Sequence, residues 1–515
     1  MHAPRSADLL FAQLAAAGRA AKRPWAVDHE SAAVTVKDGQ VNPGEIAEAA
    51  RRLARTVAER GVREGDLCVV RLEKPLDILV AVAGLTGLGA VPVLLSARLD
   101  AMTARAALEP VTAPLHLLVT ASRAADFADR HPIDGARMTW EDVISAVPAG
   151  ERAELPAHGV ERAPGRPYLV THTSGTTGVP KLVVHTRNSF YQQSAVQTRM
   201  LRPMFLTGYL AAAISPVHVR TLSGLLSALR LRHSVLLLAS EDSDRVGEQL
   251  ERWRPEYLET HPNTYITWEG LADSGAMSSV RMFLGTFDAM HPRTVDAMLR
   301  GSRRRLAMFT EVYAQSELGP IAFRARTRRI GRFRRGVGAE LAGHRVGRAM
   351  PGYSRIRVVD EGGNRVPRGA GGRIQVRSKG RFAGYLNFPE RATENLFEGG
   401  WWDSGDWGAR TATGALRLHD RQTERLAGAT SGIALEDVLL DRMPELAEAV
   451  VLEEDGRLLP VLASRSAEPV TDERWRTATG DLPPLAPPRF VARADIPRTA
   501  TGKVRREVLR HRLNS

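Results

Sequence analysis

A run of hydroxyl side chains, glycines and a lysine carries the clearest chemical signal in this chain. It reads Thr171-His172-Thr173-Ser174-Gly175-Thr176-Thr177-Gly178-Val179-Pro180-Lys181. Glycines let backbone N–H groups approach a polyphosphate, hydroxyls add hydrogen-bond donors, and Lys181 supplies a cation. The spacing between the glycines and the lysine differs from that of a Walker loop. A surface turn needs fewer hydroxyls and glycines, so we interpret the segment as a polyphosphate-binding loop.

The elements that must position this loop are predicted to be strands. We predict one strand at residues 168–170, before the loop, and another that begins at Leu182. Upstream, residues 1–170 repeat a pattern of amphipathic helix, glycine-containing turn and strand, as in 47–60 followed by 65–71. This alternation predicts an α/β fold with a mostly parallel sheet covered by helices.

Composition is that of a soluble globular protein with more than one core. The chain has 515 residues, of which 43% are hydrophobic and 25% charged, which predicts a large domain and a smaller one. Cys68, the single cysteine, is expected to be buried; it excludes a disulfide framework and fits the reducing cytoplasm. Residues 78–95 contain three glycines and a proline, so they predict a buried helix and strand rather than a membrane span.

The net charge of +13 raises the possibility of nucleic-acid binding. Arginines are densest between residues 324 and 335, where Phe323 and Phe333 are the nearby aromatic residues. A base-stacking surface needs more aromatic side chains, so we expect no specific nucleic-acid binding. The segment is interpreted as a solvated basic loop, with a docking patch for an acidic partner as the alternative.

Four segments together resemble the ANL superfamily of adenylate-forming enzymes, which includes acyl-CoA synthetases, peptide-synthetase adenylation domains and luciferases. The hydroxyl-rich loop is similar to the phosphate loop of that superfamily. The other three are Tyr313-Ala314-Gln315-Ser316-Glu317, Trp402-Asp403-Ser404-Gly405-Asp406 and Pro497-Arg498-Thr499-Ala500-Thr501-Gly502-Lys503. They resemble Tyr-Gly-x-Thr-Glu, Trp-x-x-Gly-Asp and the C-terminal catalytic-lysine loop, in the right order along nearly the whole chain.

The resemblance implies an enzyme that uses ATP and Mg²⁺ to convert a small-molecule acid into an adenylate. It implies an adenylating core at residues 1–420 and a mobile lid at residues 421–515. It assigns the phosphates to Thr173, Ser174, Gly175, Thr176, Thr177, Gly178, Lys181 and Ser316, adenine to Tyr313, ribose to Asp406 and Arg421, Mg²⁺ to Glu317, and catalysis to Lys503 and Glu317 with His218. The chemistry requires such cations, because a carboxylate that attacks the α-phosphate joins two anions.

The acid pocket departs from the family pattern. His218 lies at the family's gating position beside the reacting carboxylate, with a satisfied core histidine as the alternative interpretation, and Arg220 follows it. Gly285, Phe287 and Asp288 lie in the segment where relatives have Gly-Gly-Ala-Pro. A phenyl ring there shortens the pocket, and a carboxylate makes it polar. We therefore predict a small or aryl acid with a polar group, and a pairing of Arg220 with Asp288 or with the substrate.

The predicted hinge between core and lid also departs from the family pattern. The group that accepts the activated acid is therefore left open. Thr423 stands at the pivot, and Thr430 stands where relatives have a glycine beside the pantetheine tunnel, although Gly428 is close by. CoA or a carrier-protein pantetheine is the default acceptor by family analogy. The alternatives are an amine acceptor, or an inorganic oxyacid such as nitrite, as in diazotase-like relatives. A rival of another class is a non-catalytic nucleotide- or nucleic-acid-binding protein.

Overall fold

The computed structural model describes residues 9–20, 24–127, 133–146, 163–173, 178–328, 341, 343–427, 429–466, 469–499 and 502–514. Its strands are β1 Trp25–Val27, β2 Gln40–Val41, β3 Leu67–Arg71, β4 Val91–Leu94, β5 Leu115–Val119, β6 Arg137–Thr139, β7 Pro167–His172, β8 Leu182–Thr186, β9 Leu210–Ala213, β10 Val235–Leu237, β11 Tyr257–Thr260, β12 Met282–Gly285, β13 Met308–Gln315, β14 Gly319–Thr327, β15 His344–Ala349, β16 Ser354–Val359, β17 Gly371–Ser378, β18 Gly384–Tyr385, β19 Leu396–Phe397, β20 Trp401–Arg410, β21 Leu416–Arg421, β22 Leu446–Glu454, β23 Arg457–Ser464 and β24 Arg489–Phe490.

Helices alternate with these strands through most of the chain. They are α1 Leu10–Ala20, α2 Pro43–Glu59, α3 Pro75–Leu88, α4 Ala101–Leu108, α5 Trp140–Ser145, α6 Arg187–Leu201, α7 Val219–Arg230, α8 Ser243–Trp253, α9 Pro262–Thr267, α10 Leu271–Ser274, α11 Pro292–Gly301, α12 Arg391–Glu394, α13 Gly432–Arg442, α14 Asp472–Thr479 and α15 Arg506–Asn514. Short 3₁₀ turns lie at Ala121–Phe127, Arg202–Met204, Glu398–Gly400, Gln422–Glu424 and Arg493–Asp495.

One sheet carries the phosphate loop. Its strand order is β18-β8-β7-β4-β3-β5-β6, and the strands from β7 to β6 are parallel to one another. Buried residues of α1, α2, α3 and α7 pack in the same apolar cluster as β3 and β4, so the predicted helix-covered parallel sheet is confirmed. Residues 78–95 form most of α3 and all of β4, as predicted. Within the described ranges, no helix is both long and apolar enough to span a bilayer.

A second, larger sheet gathers polar side chains at one edge. Its strands β9, β11, β12 and β13 are parallel neighbours, so their carboxyl ends lie side by side. Ala213, Thr260 and Gly285 end the first three strands in register with Glu311 of β13, which continues to Gln315. In α/β sheets, ligands bind in the crevice outside such carboxyl ends. The segments that follow these four strands contain most of the candidate residues of the acid pocket.

The C-terminal segment packs around apolar clusters of its own. The buried members of these clusters all follow Arg421, the last residue of β21. Polar contacts join this segment to the rest of the chain. Arg293 donates to the carbonyl oxygens of Pro444 and Leu446, each at 3.2 Å. Cys68 is buried, as predicted, and burial raises the pKa of its thiol to about 12.

Candidate active site

The base of the phosphate loop is closed by its own backbone. Strand β7 ends at His172 and β8 begins at Leu182. Between them, the Thr173 N–H donates to the Lys181 carbonyl at 2.9 Å, and the Lys181 N–H donates to Thr173 Oγ1 at 3.0 Å. The two ends of the loop are therefore held together. Four of the predicted phosphate ligands, Ser174, Gly175, Thr176 and Thr177, lie outside the described residues.

A cavity of about 530 Å³ lies against this loop and the carboxyl edge of the larger sheet. This volume is within the usual range for small-molecule sites. The predicted site residues that line it are Thr173, Lys181, His218, Arg220, Phe287, Ser316, Glu317, Arg421 and Lys503. Residues from both sides of the predicted domain joint thus meet in one cavity.

A second cavity of about 250 Å³ adjoins the first and shares Phe287, Arg421 and Lys503 with it. Tyr313 and Asp406 line this second cavity, and the Tyr313 hydroxyl donates to the Asp406 carboxylate. Arg421 Nη1 lies 3.2 Å from Asp406 Oδ1. Burial, together with the neighbouring Asp406 carboxylate, raises the pKa of Tyr313 well above its usual value. The predicted adenine and ribose residues are therefore brought together.

Gln315 is a site residue that the motif comparison missed. Its Nε2 donates to the Ser404 carbonyl at 2.7 Å and to Asp406 Oδ2 at 3.0 Å. It therefore holds the carboxylate predicted to bind ribose. Gln315 occupies a variable position of the family motif, so no sequence signal pointed to it.

Lys503 reaches both cavities from the C-terminal loop. The preceding Gly502 has a φ of 81° and accepts a hydrogen bond from Asn263 of the core. The Lys503 N–H donates to Thr499 Oγ1 at 3.1 Å. Burial lowers the pKa of the Lys503 ammonium, and the carboxylate of Asp288 opposes that shift. The loop thus delivers a cation to the place where the resemblance requires one.

One tyrosine links the predicted metal ligand to the predicted phosphate lysine. The hydroxyl of buried Tyr385 donates to Glu317 Oε1 at 2.8 Å, and the Lys181 ammonium lies 5.0 Å from the centre of its ring. In the described part of the chain, Glu317 Oε2 has no hydrogen-bond partner. A hard cation held by one carboxylate oxygen and substrate phosphates fits this arrangement. Sequence reasoning missed Tyr385, which follows a glycine in a short strand.

Three histidine rings and the Phe287 ring pack together. They include His218, which is predicted to lie beside the reacting carboxylate, and we call this place the reacting position. The Phe287 ring centre lies 4.5 Å from that of His261 and 5.1 Å from that of His218, and His172 lies 5.6 Å from His218. Burial lowers the pKa of all three, to about 4 for His261, so the rings are neutral at pH 7. His172 and His261 were not predicted as site residues.

The backbone of Phe287 supports its alignment with a family glycine. Its φ is 81°, a left-handed conformation that glycine adopts without strain. A larger residue pays about 1–2 kcal/mol for it. Such strain persists where the surroundings enforce it, commonly at functional sites. The left-handed backbone of Phe287 is thus compatible with the predicted alignment, which stays a prediction.

The predicted pairing of Arg220 with Asp288 is corrected by the structure. Arg220 donates to both carboxylate oxygens of Glu259, at 2.7 and 2.8 Å, and to the Tyr257 hydroxyl at 3.2 Å. Asp288 is exposed and borders only the second cavity. Glu259 comes from the carboxyl end of β11, which the chain order does not place beside α7. Asp288 therefore does not make the acid pocket polar.

Two predicted glycines also lie away from the cavity walls. Gly285 is buried at the end of β12, where an added Cβ would meet the Met290 side chain at 2.6 Å. It therefore permits packing and borders neither cavity. Gly178 is exposed, with a φ of 137° that suits the turn before Lys181.

The basic segment makes internal contacts where it is described. Arg326 Nη2 lies 3.3 Å from Asp296 Oδ1, and Arg328 donates to the carbonyl oxygens of Leu299 and Ser302. These arginines therefore stabilise the fold near α11. The part of the predicted basic cluster from residue 329 onward lies outside the described residues.

Comparison with known proteins places this geometry in context. A family model described as AMP-binding enzyme matches residues 21–386. The 3-amino-2-hydroxy-4-methoxybenzoate diazotase of Streptomyces cremeus is 36% identical over 96% of this chain and 93% of its own length. The 3-aminoavenalumate diazotase of a Streptomyces species is 26% identical over 91% of this chain and 88% of its own.

More distant similarities extend to CoA ligases. The 3-hydroxybenzoate--CoA/4-hydroxybenzoate--CoA ligase of Thauera aromatica is 24% identical over 94% of each chain. Among solved structures, ATP-bound MatB from Rhodopseudomonas palustris superimposes with a TM-score of 0.81 over 99% of both chains, at 20% identity. That likeness extends the shared fold to the C-terminal segment.

Proposed function

Since this chain belongs to the AMP-binding family of adenylate-forming enzymes, the ANL superfamily, we propose that the acid it activates is nitrite and that the acceptor is an aromatic amine. The observation that carries the proposal is the similarity to the Streptomyces cremeus diazotase, which extends along nearly the whole of both chains. The expected default, transfer of an organic acyl group to CoA or a carrier thiol, becomes the second candidate.

The arrangement around Phe287 supports a small acid. An organic acid must continue from its carboxylate into a pocket, whereas nitrite ends at its nitrogen and oxygens. Phe287 packs against His218 and His261 beside the reacting position and narrows that space. The aromatic amine, the second substrate, would then bind in the part of the cavity lined by Arg220.

In the first step, a nitrite oxygen attacks the α-phosphorus of ATP, and the bond from that phosphorus to pyrophosphate breaks. Lys503 supplies positive charge to the phosphoryl group, and Lys181 holds the departing phosphates. Glu317 would hold Mg²⁺, which neutralises phosphate charge when bound. Tyr385 fixes the Glu317 carboxylate through its 2.8 Å hydrogen bond.

In the second step, the amine nitrogen attacks the nitroso nitrogen, and the bond from that nitrogen to the AMP oxygen breaks. The amine loses a proton, and AMP leaves. The resulting N-nitroso compound takes up a proton and loses water to become the diazonium ion. Neutral His218 beside the reacting position can accept the amine proton. We propose the cytoplasm as the compartment, where ATP is available.

The test measures AMP and diazonium formation in mixtures from which one component is omitted. We expect AMP and an azo-coupling product when ATP, Mg²⁺, nitrite and an aminohydroxybenzoate are all present. Omission of nitrite should abolish both products. Nitrite-independent AMP formation with hydroxybenzoates, accompanied by a CoA thioester, would refute the proposal.

An aryl acid–CoA ligase is the second candidate, supported by the hydroxybenzoate--CoA ligase among the relatives. The same assay separates the two, because only this candidate consumes CoA. Thr430 speaks against it, since it stands where relatives have the glycine that borders the pantetheine tunnel.

A further inference from the structure

One wall of the main cavity carries a buried acceptor that the reaction above does not use. Helix α6 contributes Gln197 to this wall. Gln197 is only 8% exposed, yet its Oε1 has no hydrogen-bond partner in the described ranges. An unpaired buried amide oxygen is costly, and native proteins rarely keep one without a reason. Gln197 thus places an unsatisfied acceptor at the cavity wall, where a bound donor would satisfy it.

The orientation of the Gln197 amide follows from its neighbours. The Ser223 hydroxyl donates its one hydrogen to the Arg220 carbonyl at 3.1 Å. With its hydrogen in that bond, the Ser223 oxygen accepts the 2.7 Å hydrogen bond from Gln197 Nε2. The unpaired atom is consequently the carbonyl oxygen, an acceptor.

A matching donor comes from Arg220 on α7. Its Nε and Nη2 are occupied by Glu259 and Tyr257. Its Nη1 has no hydrogen-bond partner among the residues that the structure describes, and Arg220 lines the same cavity wall. Because the Glu259 carboxylate balances its charge, Arg220 offers Nη1 as a donor without offering a free positive charge.

The space beside the Gly224 Cα lies close to both of these atoms. A Cβ added to Gly224 would lie 3.4 Å from Gln197 Oε1 and 3.9 Å from Arg220 Nη1, and outside the backbone of α7 no other atom of the described residues would lie within 4 Å. An acceptor and a donor thus flank the position that a methyl group would fill. A group that fits both must donate one hydrogen bond and accept another.

We propose that Gln197, Arg220 and Gly224 form a subsite for a hydroxyl group on the aromatic substrate. A hydroxyl donates to Gln197 Oε1 and accepts from Arg220 Nη1. A carboxylate has only acceptors and would face the lone pairs of Gln197, and an ammonium has only donors and would face the guanidinium. The substrate class is therefore a phenol. This inference rests on the proposed function for the aromatic character of the substrate, whereas the hydroxyl preference follows from Gln197 and Arg220.

The decisive variant is Gly224→Ala, whose methyl group fills the subsite. Its contacts of 3.4 and 3.9 Å are ordinary van der Waals distances, and the residue lies inside α7, so the variant should fold. Gly270→Ala is the matched control, because a Cβ there meets nothing within 4 Å. Gln197→Met removes the acceptor at similar volume and serves as the second variant.

The probes are 2-, 3- and 4-aminophenol, with aniline as the hydroxyl-free reference, titrated calorimetrically against the full chain. We expect at least one aminophenol to bind roughly tenfold or more tightly than aniline, because aniline leaves both polar atoms unpaired. Gly224→Ala and Gln197→Met should remove this preference and leave aniline binding unchanged. Gly270→Ala should preserve it.

Equal binding of aniline and all three aminophenols to the unmodified protein would overturn the subsite, as would an unchanged preference in Gly224→Ala. The titrations contain no nitrite, so their result is independent of the reaction. A hydroxyl preference without nitrite-dependent AMP formation would sink the proposed function and leave the subsite standing. Nitrite-dependent turnover without a hydroxyl preference would refute the subsite and leave the proposed function standing.

Discussion

Replacing Glu259 by glutamine should destabilise the protein strongly although it changes only one atom. Glu259 accepts two hydrogen bonds from Arg220, at 2.7 and 2.8 Å, and one each from Tyr257 at 2.5 Å and Thr286 at 3.3 Å. The Arg220 and Glu259 side chains are 16% and 8% exposed, so water compensates little for a lost partner. Glutamine keeps the shape but leaves the arginine charge buried and unbalanced.

The expected loss of unfolding free energy follows from the range known for buried ion pairs and from the oxygen that glutamine retains. Removing one partner of a buried ion pair costs about 3–5 kcal/mol. Glutamine retains one acceptor oxygen, so we expect the lower end, about 3 kcal/mol. The exposed pair of Arg55 and Glu59 is the control, with side chains 44% and 64% exposed. Glu59→Gln should change stability by less than about 1 kcal/mol.

Urea unfolding of Glu259→Gln, Arg220→Met and the double variant Arg220→Met/Glu259→Gln is the assay. The double variant should recover much of the stability, because no unpaired charge remains, and the coupling free energy should exceed about 2 kcal/mol. If Glu259→Gln unfolds at the same urea concentration as the unmodified protein, the pair is not buried as described. The reasoning would also be refuted if the change in unfolding free energy of the double variant equalled the sum of the changes in the two single variants.

Three further perturbations test other parts of the site. Lys503→Ala should slow adenylate formation by about 10²–10³-fold while ATP still binds, as measured by pyrophosphate release and nucleotide titration; near-normal release would give the C-terminal loop another role. Glu317→Gln should raise the Mg²⁺ concentration needed for half-maximal rate, because an amide is a poorer ligand for a hard cation, and an unchanged Mg²⁺ dependence would place the metal elsewhere. His344 of β15 lies between two carboxylates, with its Nδ1 3.0 Å from Asp437 Oδ2 of α13 and its Nε2 3.3 Å from Glu311 Oε1 of β13. Burial alone would lower its pKa, but the two carboxylates raise it to about 10. The folded pKa exceeds the unfolded value near 6.5, so the stabilisation is complete below about pH 6.5 and is lost toward pH 10. The stability difference from His344→Gln should shrink over that range in thermal unfolding, and a constant difference would contradict a charged His344.

The parts of the site that were predictable have local signals. The phosphate loop is recognisable because glycines and hydroxyls must be adjacent in sequence to surround a phosphate, and Lys181 follows at fixed spacing. The helix–strand alternation predicted the parallel sheet because each element must bury one apolar face. The placement of Lys503 beside Arg421 could be expected only through the family resemblance, since 82 positions (503 − 421) separate the two residues.

Sequence by itself therefore determined the α/β class and the family, because periodicity and motif spacing are properties of short segments. Tertiary structure alone decided the partners of the pocket residues. Arg220 pairs with Glu259 and not with Asp288, because parallel strands bring their carboxyl ends together regardless of distance along the chain. The free Gln197 acceptor beside Gly224 likewise exists only where α6 packs against α7. Hydrogen-bond partners across packed elements depend on geometry that no local pattern encodes.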